Sequence, residues 1–549
     1  MDKIFGIDLG TTYSCIAYVD ESGKPVVVPN EDNERTTPSV VAFEGEASVI
    51  VGNYAKNMLT TDPEKVVSFI KRDMGNPYYV KKCNGIEYKP EEISARILQK
   101  LVKDASDKLG FEIKDVVITC PAYFGENEKL ATKKAGEIAG LNVKSIIEEP
   151  VAAALAYGID HTQNQTVLVY DLGGGTFDVT MIKVKPQEIQ VIVKGGDHQL
   201  GGKDWDNSLM GFFAEKFKGE TGVEDDILSN PEILGDLQIK AEKVKKTLSV
   251  RDNAKEKIVY GTDTSNIDII REKFDELTKD LAERTIMLTN LMLDDAKKEG
   301  VSSFDKILMV GGSTKMPQIK EILEKNFPNI SIEAFDQDES VAKGAAIYGQ
   351  QLAIGEELIR IISEKTGKNK DDVKSGNYTE KEKVEAQQQL ADENGLKIGT
   401  VQKAETKIIN VASKSFGVEV IENNRVVISN IILIHTVLPA KCTKKYGTLE
   451  DNMQNIRIAV YENNIKEDTV ATSDSKEIGQ GIIEGLPANL PANSPVQVTF
   501  EIDREGLINV TAVELTGNNE LNFRIETNSV ISGEELEAAK ARSNAIKLS

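Results

Sequence analysis

The sequence predicts a two-lobed α/β region followed by a charged connector, an all-β sandwich and one short C-terminal helix. Three observations predict it. Short apolar strand patterns alternate with amphipathic helical patterns as far as about residue 354, one strand–turn–strand unit occurs twice, and beyond residue 407 the periodicity falls to two. At 549 residues and 60.2 kDa the chain is too large for one core, and the expected divisions are 1–354, 355–406, 407–530 and 531–549.

In the first region the strand patterns are Ile4 to Leu9, Val116 to Thr119, Val167 to Asp171 and Lys306 to Val310, each brief, apolar and closed by turn residues. Between them, Ile93, Ile97, Leu101, Ala105 and Leu109 recur every fourth residue behind Pro90, which suits the first turn of a helix. Phe274 to Ala296 is a second long helical pattern. Strands alternating with helices point to largely buried sheets. The repeated unit is Ile4 to Thr12, echoed by Val167 to Thr176, with Asp8 and Asp171 lying 163 residues apart. Each copy runs strand, Asp-Leu-Gly, tight turn, second strand, which is a duplication on the scale of a lobe.

From Gly355 to Glu405 the run is polar, with Thr379 and Glu382 at capping-box spacing, and it reads as a solvated connector carrying one short charged helix. From Lys407 onward, Val496, Val498, Phe500 and Ile502 alternate with polar residues, and Asp503 to Gly506 turns the chain into another strand. Short strands separated by Asn, Gly and Pro clusters describe a sandwich. Ser532 to Leu548 is a single helical pattern with Ser532 and Glu535 at capping-box spacing.

Composition removes several function classes. Lys plus Arg number 66 against 88 Asp plus Glu, a net charge of −22, so a nucleic-acid partner is not expected. The longest nearly apolar run, Val426 to Leu438, is 13 residues and interrupted by Ser429, Asn430 and His435, too short to span a bilayer. The N-terminus goes straight into a strand pattern without the marks of a secretion signal. Cys15, Cys83, Cys120 and Cys442 are scattered, and His161, His198 and His435 form no metal-ligand spacing, so buried thiols in a reducing cytoplasm are expected.

The chemistry concentrates at the twin turns. A glycine-rich turn lets backbone N–H groups approach a phosphate, threonine hydroxyls add donors, and a carboxylate at the strand end can hold the water shell of Mg²⁺. Two such turns facing each other, with Asp8 in one and Asp171 in the other, would clamp a triphosphate. No GxxxxGK[ST] occurs, so a P-loop is excluded. A third glycine turn, Gly311-Gly312-Ser313-Thr314, follows the strand Lys306 to Val310 and suits close approach of a nucleoside.

These residues resemble the seventy-kilodalton heat-shock chaperones of the DnaK type. The likeness is carried by Gly6 to Thr12, Tyr170 to Asp178, Glu149-Pro150 leading into Ala152 to Gly158, and Leu200-Gly201-Gly202. It covers residues 2 to 350 and, more loosely, 407 to 540. The resemblance implies an actin-like ATPase domain, ATP/ADP with Mg²⁺ and K⁺, and a β domain that binds unfolded or extended peptide. It implies Asp8, Glu149, Asp171 and Asp178 around Mg²⁺ and the attacking water, Lys71 as the residue that orients that water, and potassium near Tyr13 and Thr176. It puts Gly10, Thr11, Thr12, Gly173, Gly174, Gly175, Thr176, Gly201 and Gly202 at the phosphates. Glu242, Lys245, Lys246, Ser249, Gly311, Gly312, Ser313 and Asp338 fall on the adenosine side, and Pro121 and Lys129 at positions that relay nucleotide state. Val418, Val420, Ile421, Tyr446, Leu449, Ile456 and Ile458 would line the peptide site, although alternation alone equally describes a sandwich core.

The sequence departs from the family at Ser145, where an arginine engages J-domain co-chaperones, at Lys129 and Lys315, which replace arginines, and at Val151, which replaces a threonine. The apolar interdomain linker is replaced by Lys407 to Ala412, behind the polar insertion, and one helix stands where the family has a helical lid. J-domain and exchange-factor partners are implied by the resemblance alone. Two other readings remain: a nucleotide-gated interaction protein with little turnover, and an actin-fold small-molecule kinase, against which the β region argues.

Overall fold

The computed structural model describes residues 3–45, 48–158, 164–185, 188–503, 506–525 and 530–548. His161 and the middle of the turn Asp503 to Gly506 lie outside the described residues.

The duplication is visible as two six-stranded sheets of matching order. In the first, Asn142–Glu148, Asp115–Cys120, Phe5–Asp8, Tyr13–Val19 and Pro25–Val27 lie side by side, with Thr37–Pro38 also on Tyr13–Val19. In the second the order is Ser331–Ala334, Lys306–Val310, Gln165–Leu172, Phe177–Lys185 and Glu188–Asp197. In each, the first strand of the repeated unit pairs antiparallel with the next strand and parallel with a much later one.

The Ile93, Ile97, Leu101 and Ala105 stripe of the helix Pro90–Leu109 is buried on the first sheet, beside Phe5, Ile7 and Ile118. The core of the second lobe gathers Tyr170, Phe177, Trp205 and Phe213. A third cluster joins the lobes: Val117, Ile147, Val167 and Leu308 pack around Ala152, Ala153 and Ala154. The helical pattern at Phe274 to Ala296 is two helices, Arg271–Leu277 and Lys279–Lys298, broken at Thr278.

The stretch 355–406 is a folded helical extension with its own core rather than a solvated connector. Helix Ser340–Thr366 runs straight through residue 355, and Lys370–Lys374, Glu380–Asn394 and Ile398–Lys403 return against it. Leu358, Ile361, Ile362, Val373, Ala386, Leu390 and Val401 are buried together. The expected capping box is present: Glu382 N–H donates to Thr379 Oγ1 at 3.2 Å and Thr379 N–H to Glu382 Oε2 at 2.6 Å.

Lys407–Ile409, assigned from sequence to the β region, is instead the sixth strand of the second sheet, parallel to Glu188–Asp197. Two antiparallel sheets follow. One has the order Thr469–Ala471, Arg425–Ile432, Ser415–Glu422, Ile456–Asn463, Lys476–Ile483, and the other Ala440–Gly447, Pro495–Ile502, Ile508–Glu514, Asn519–Arg524. They share a core containing Phe416, Ile432, Val496, Val498, Phe500 and Ile502, the last four being the residues expected from alternation. The C-terminal helix, Gly533–Ala545, starts without a side-chain cap from Ser532 and packs Leu536 and Ala539 on Ala95 and Ile138 of the first lobe. Lys547–Leu548 is not helical but pairs parallel with Ser48–Val49. No helix among the described residues is long and apolar enough to cross a membrane.

Candidate active site

The two turns of the repeated unit meet. A Cβ on Gly174 would stand 1.7 Å from Thr12 Oγ1, and one on Gly175 would stand 2.3 Å from Thr11 Cγ2. Only glycine permits that approach. Beside the turns opens a cavity of about 540 Å³, lined on the first lobe by Asp8, Gly10, Thr11, Thr12, Tyr13 and Lys71. Gly173, Gly174, Asp171 and Thr176 line it from the second lobe.

Lys71 lines this cavity from the short turn Ile70–Asp73, which follows Phe69 at φ 62°, a left-handed conformation that a bulky residue takes only where its surroundings hold it. Its ammonium lies 2.5 Å from Glu149 Oε1, and both side chains are buried. Glu149 opens the helix Glu149–Ala156 directly after a strand of the first sheet. Asp8 accepts from Thr119 Oγ1 at 3.2 Å. Asp171 and Asp178 are register partners on the second hairpin, and Asp178 Oδ1 accepts the N–H of Ala122 at 3.0 Å, one residue past Pro121.

One ammonium therefore faces four carboxylates. Burial, then Glu149, pushes Asp8 up to about 7. Burial, Glu149 and Asp8 push Asp171 well above the usual carboxylate range, and burial with Glu149 and Asp171 does the same to Asp178. Burial opposes the charge on Lys71, yet Glu149 and Asp8 hold its ammonium above the ordinary lysine value. A divalent cation with oxygen ligands would relieve this excess of negative charge. No group of three or more His, Cys, Asp or Glu side chains among the described residues is arranged to hold a metal ion. Thr12 Oγ1 is buried without a partner, a free polar group of the kind a phosphate oxygen would engage.

The remaining wall comes from one helix face and one glycine turn. Glu242, Lys245, Lys246 and Ser249 follow helical spacing on Pro231–Val250 and line the cavity with Gly311, Gly312, Ser313 and Asp338. Gly311 has φ +82° and sits against the Leu172 carbonyl and the Asp171 carboxylate, where a side chain would collide. Gly201 and Gly202 lie behind the Gly173 to Thr176 turn: Gly202 N–H donates to Gly173 O at 3.0 Å and Lys245 Nζ to Gly202 O at 2.8 Å.

Sequence reasoning missed the residues that close the cleft. Lys56 pairs with Glu242 across the lobes, and the Tyr13 hydroxyl donates to Glu242 at 2.7 Å while Lys246 approaches it at 2.9 Å. Burial opposes ionisation of Glu242, but Lys56 and Lys246 bring it down to about 2. Asp206 holds Lys245 at 2.8 Å, and Arg72 holds Asp204 at 2.7 Å and the Gly175 carbonyl at 2.8 Å. Asp204 and Asp206 follow Leu200-Gly201-Gly202 closely enough to be suspected; nothing local marks Lys56.

Lys129 lies away from the cleft, on the helix Glu126–Ile138, and shares Glu148 with Lys194. Ser145 is buried in a second cavity of about 300 Å³, which Lys129, Glu148 and the Glu405 to Ile408 segment also line. Of the seven peptide-site positions, Val418 and Ile458 belong to the sandwich core, and Val420, Tyr446 and Ile456 pack against it half-buried. Ile421 and Leu449 stand at the surface, 52% and 58% exposed.

The family model described as Hsp70 protein matches residues 4–359 and 391–548, leaving part of the helical extension unmatched. Two curated relatives, each named Chaperone protein DnaK and from the R1 and NRC-1 strains of Halobacterium salinarum, are each 35% identical over 542 residues. In both cases the match covers 98% of this chain and 77% of the relative.

Proposed function

The chain belongs to the Hsp70 family, and from that premise we propose that it is an ATP-hydrolysing chaperone of the DnaK type whose twin-turn cleft is the ATPase site. The observation that carries this reading is the buried Lys71–Glu149 pair set beside two facing glycine–threonine turns. Hydrolysis of a phosphoanhydride needs positioning and charge neutralisation more than covalent chemistry. In the proposed assignment, Thr11, Thr12, the Gly173 to Thr176 turn, Gly201 and Gly202 hold the phosphates. Lys71, kept charged by Glu149, orients the attacking water and opposes developing charge on the terminal phosphate. Asp8, Asp171 and Asp178 hold Mg²⁺ through its waters, and the ion supplies charge neutralisation when bound. Glu242, Lys245, Lys246, Ser249, Gly311, Gly312, Ser313 and Asp338 receive the nucleoside. Potassium near Tyr13 and Thr176 rests on the family resemblance.

The same proposal makes residues 1–354 an actin-like ATPase domain and gives the β region, whose first sandwich strand is Ser415–Glu422, the binding of extended peptide, with Ile421 and Leu449 as its surface apolar contacts. Pro121, one residue before the N–H that Asp178 accepts, and Lys129 would carry nucleotide state outward. A cytoplasmic setting, a J-domain co-chaperone and an exchange factor are part of the proposal. The intact Lys71–Glu149 pair favours turnover over a purely nucleotide-gated binder. Steady-state ATP hydrolysis by wild type and Lys71→Ala, each with and without an unfolded peptide, tests it. Turnover that Lys71→Ala abolishes and peptide stimulates supports the proposal; a wild type that binds ATP without hydrolysing it would return the protein to the nucleotide-gated reading.

A further inference from the structure

The β region rests on the first lobe at the N-terminus of the helix Glu126–Ile138. Ser413 Oγ donates to the Phe124 carbonyl at 3.0 Å, and a Cβ on Gly125 would lie 2.7 Å from Glu462 Oε2. That helix has no cap of its own, because Gly125 stands at the N-cap and offers no side chain, so its first N–H groups need acceptors from elsewhere. The β region brings a carboxylate to that end: Glu462, on the strand Ile456–Asn463, places Oε2 and Oε1 2.7 and 3.3 Å from a Cβ built on Gly125. In return the Glu126 carboxylate is buried against the β region, facing Asp503 and Glu462 beside the start of the strand Ile508–Glu514. Carboxylates of both bodies therefore meet in one seam.

Both carboxylates keep one buried oxygen without a partner, Glu126 Oε2 and Glu462 Oε2, and so does Glu128 on the same helix turn. Glu128 Oε2 and Glu462 Oε2 crowd the same side of Gly125, at 3.0 and 2.7 Å from a Cβ placed there. Glu126 is 2% exposed and Glu462 6%. Ionised carboxylates with unpaired oxygens are costly in such surroundings, whereas a protonated carboxyl loses little and can donate across the seam.

We propose that the seam between the helix Glu126–Ile138 and the strand Ile456–Asn463 is a proton-gated clasp, with Glu126 and Glu462 protonated when the β region is docked and ionised when it is not. The charged groups around it fit this. Lys129, Asp503 and Glu462 face Glu126, and Glu128, Lys414 and Lys476 face Glu462. Two of the cations are engaged elsewhere, Lys129 lying 3.0 Å from Glu148 and Lys414 donating to Asn464 at 2.6 Å, while Lys476 stands within the seam, 3.9 Å from Glu128. Burial, outweighing Lys129 and reinforced by Asp503 and Glu462, pushes Glu126 up to about 8. Burial and Glu128 push Glu462 up to about 7.

Docking therefore takes up protons. Both groups are raised from an ordinary 4.5, so docking is strongest below that value and weakens as pH rises through about 7 and then about 8. Two coupled protons give a loss of up to about 100-fold in the docking constant per pH unit below pH 7, and one gives about tenfold between pH 7 and 8.

The test uses the full chain without nucleotide, so that it stands apart from the ATPase proposal. Fluorescence donor and acceptor are placed at Tyr78→Cys, 92% exposed, and Ile482→Cys, 49% exposed, in a Cys442→Ser background. Energy transfer is expected to fall between pH 6 and 8.5 in the wild type, and to stay high and flat in Glu126→Gln/Glu462→Gln. Glu462→Gln alone is expected to halve the slope below pH 7, leaving the loss of about tenfold per pH unit that Glu126 gives up to about pH 8. Glu128→Gln removes a repelling neighbour and is expected to move the Glu462 limb to lower pH, which gives a second reading if the double variant folds poorly. A wild-type profile flat at any level, or glutamine variants that retain the wild-type profile, would overturn the proposal.

Discussion

Lys71 Nζ and Glu149 Oε1 lie 2.5 Å apart at the end of the cleft, with side chains 6% and 9% exposed, so each is the other's charge partner in a site that excludes most water. Removing one member of such a pair strands the other. Lys71→Ala is expected to lower turnover by about 10²–10³-fold and to destabilise the fold by about 3–5 kcal/mol, because Glu149 is left buried and unpaired. Lys71→Met/Glu149→Gln is expected to recover most of that stability and none of the turnover. Urea titration alongside single-turnover hydrolysis distinguishes the two effects; equal recovery of both would make Lys71 a structural residue.

The carboxylates around Lys71 make stability without ligand depend on pH. Asp8 is raised from 3.8 to about 7, and a raised carboxylate favours the folded state only while it can keep its proton. The contribution is complete below pH 3.8 and is lost as pH climbs through 7, at up to about 1.4 kcal/mol per pH unit. The melting temperature of metal-free, nucleotide-free protein is therefore expected to fall from pH 5 to 7.5, and saturating Mg-ATP to flatten the slope by neutralising the same groups. Calorimetric scans in EDTA and in Mg-ATP check this; parallel slopes would mean that the cation sits elsewhere.

Much of the site was legible because its chemistry is local. Asp8 and Asp171 announce themselves through a repeated Asp-Leu-Gly turn, and Glu242, Lys245, Lys246 and Ser249 share one helix face. Residues whose role arises from pairing across the lobes left no trace in the sequence. Lys56 meets Glu242 from 186 positions away and no motif surrounds it. Lys407–Ile409, three residues of strand type, reads as the start of the β region, yet its partners are Glu188 to Gln190, far back in the chain. The helical extension was misread because its apolar residues are sparse among charges. Ile362, Val373, Leu390 and Val401 become a core only when three short helices return against the end of a long one.

A second buried charge group ties the lobes together. Lys194 Nζ, on the second sheet, lies 2.7 and 2.8 Å from the two oxygens of Glu148, on the first, and Lys129 adds a contact of 3.0 Å. Burial works against ionisation of Glu148, but Lys194 and Lys129 hold it below the usual range. Glu148→Ala is expected to leave two buried ammoniums and to cost about 3–5 kcal/mol, whereas Glu148→Met/Lys194→Met/Lys129→Met is expected to cost far less. Denaturant unfolding of both variants measures the difference, and similar losses would show that the group contributes packing rather than charge.

The helical extension holds the strand that leads into the β region. Lys383 Nζ lies 2.8 Å from Glu405 Oε2 and Gln387 Nε2 donates to Glu405 Oε1 at 2.8 Å, two residues before Lys407–Ile409 joins the second sheet. Both anchors stand on the helix Glu380–Asn394, which Leu390 fixes from the extension's core. Leu390→Ala is expected to destabilise the extension by about 2–5 kcal/mol through the cavity it leaves. Because the edge strand has only three residues and one neighbour, loosening its upstream anchor is expected to raise amide exchange at Ile408 and Ile409 while the central strand Gln165–Leu172 stays protected. Hydrogen–deuterium exchange by mass spectrometry reads both segments in one experiment. If exchange rises within the extension and the edge strand is unchanged, the strand is held by its sheet pairing and side-chain burial, and the extension plays no part in fixing the passage between the lobes and the β region.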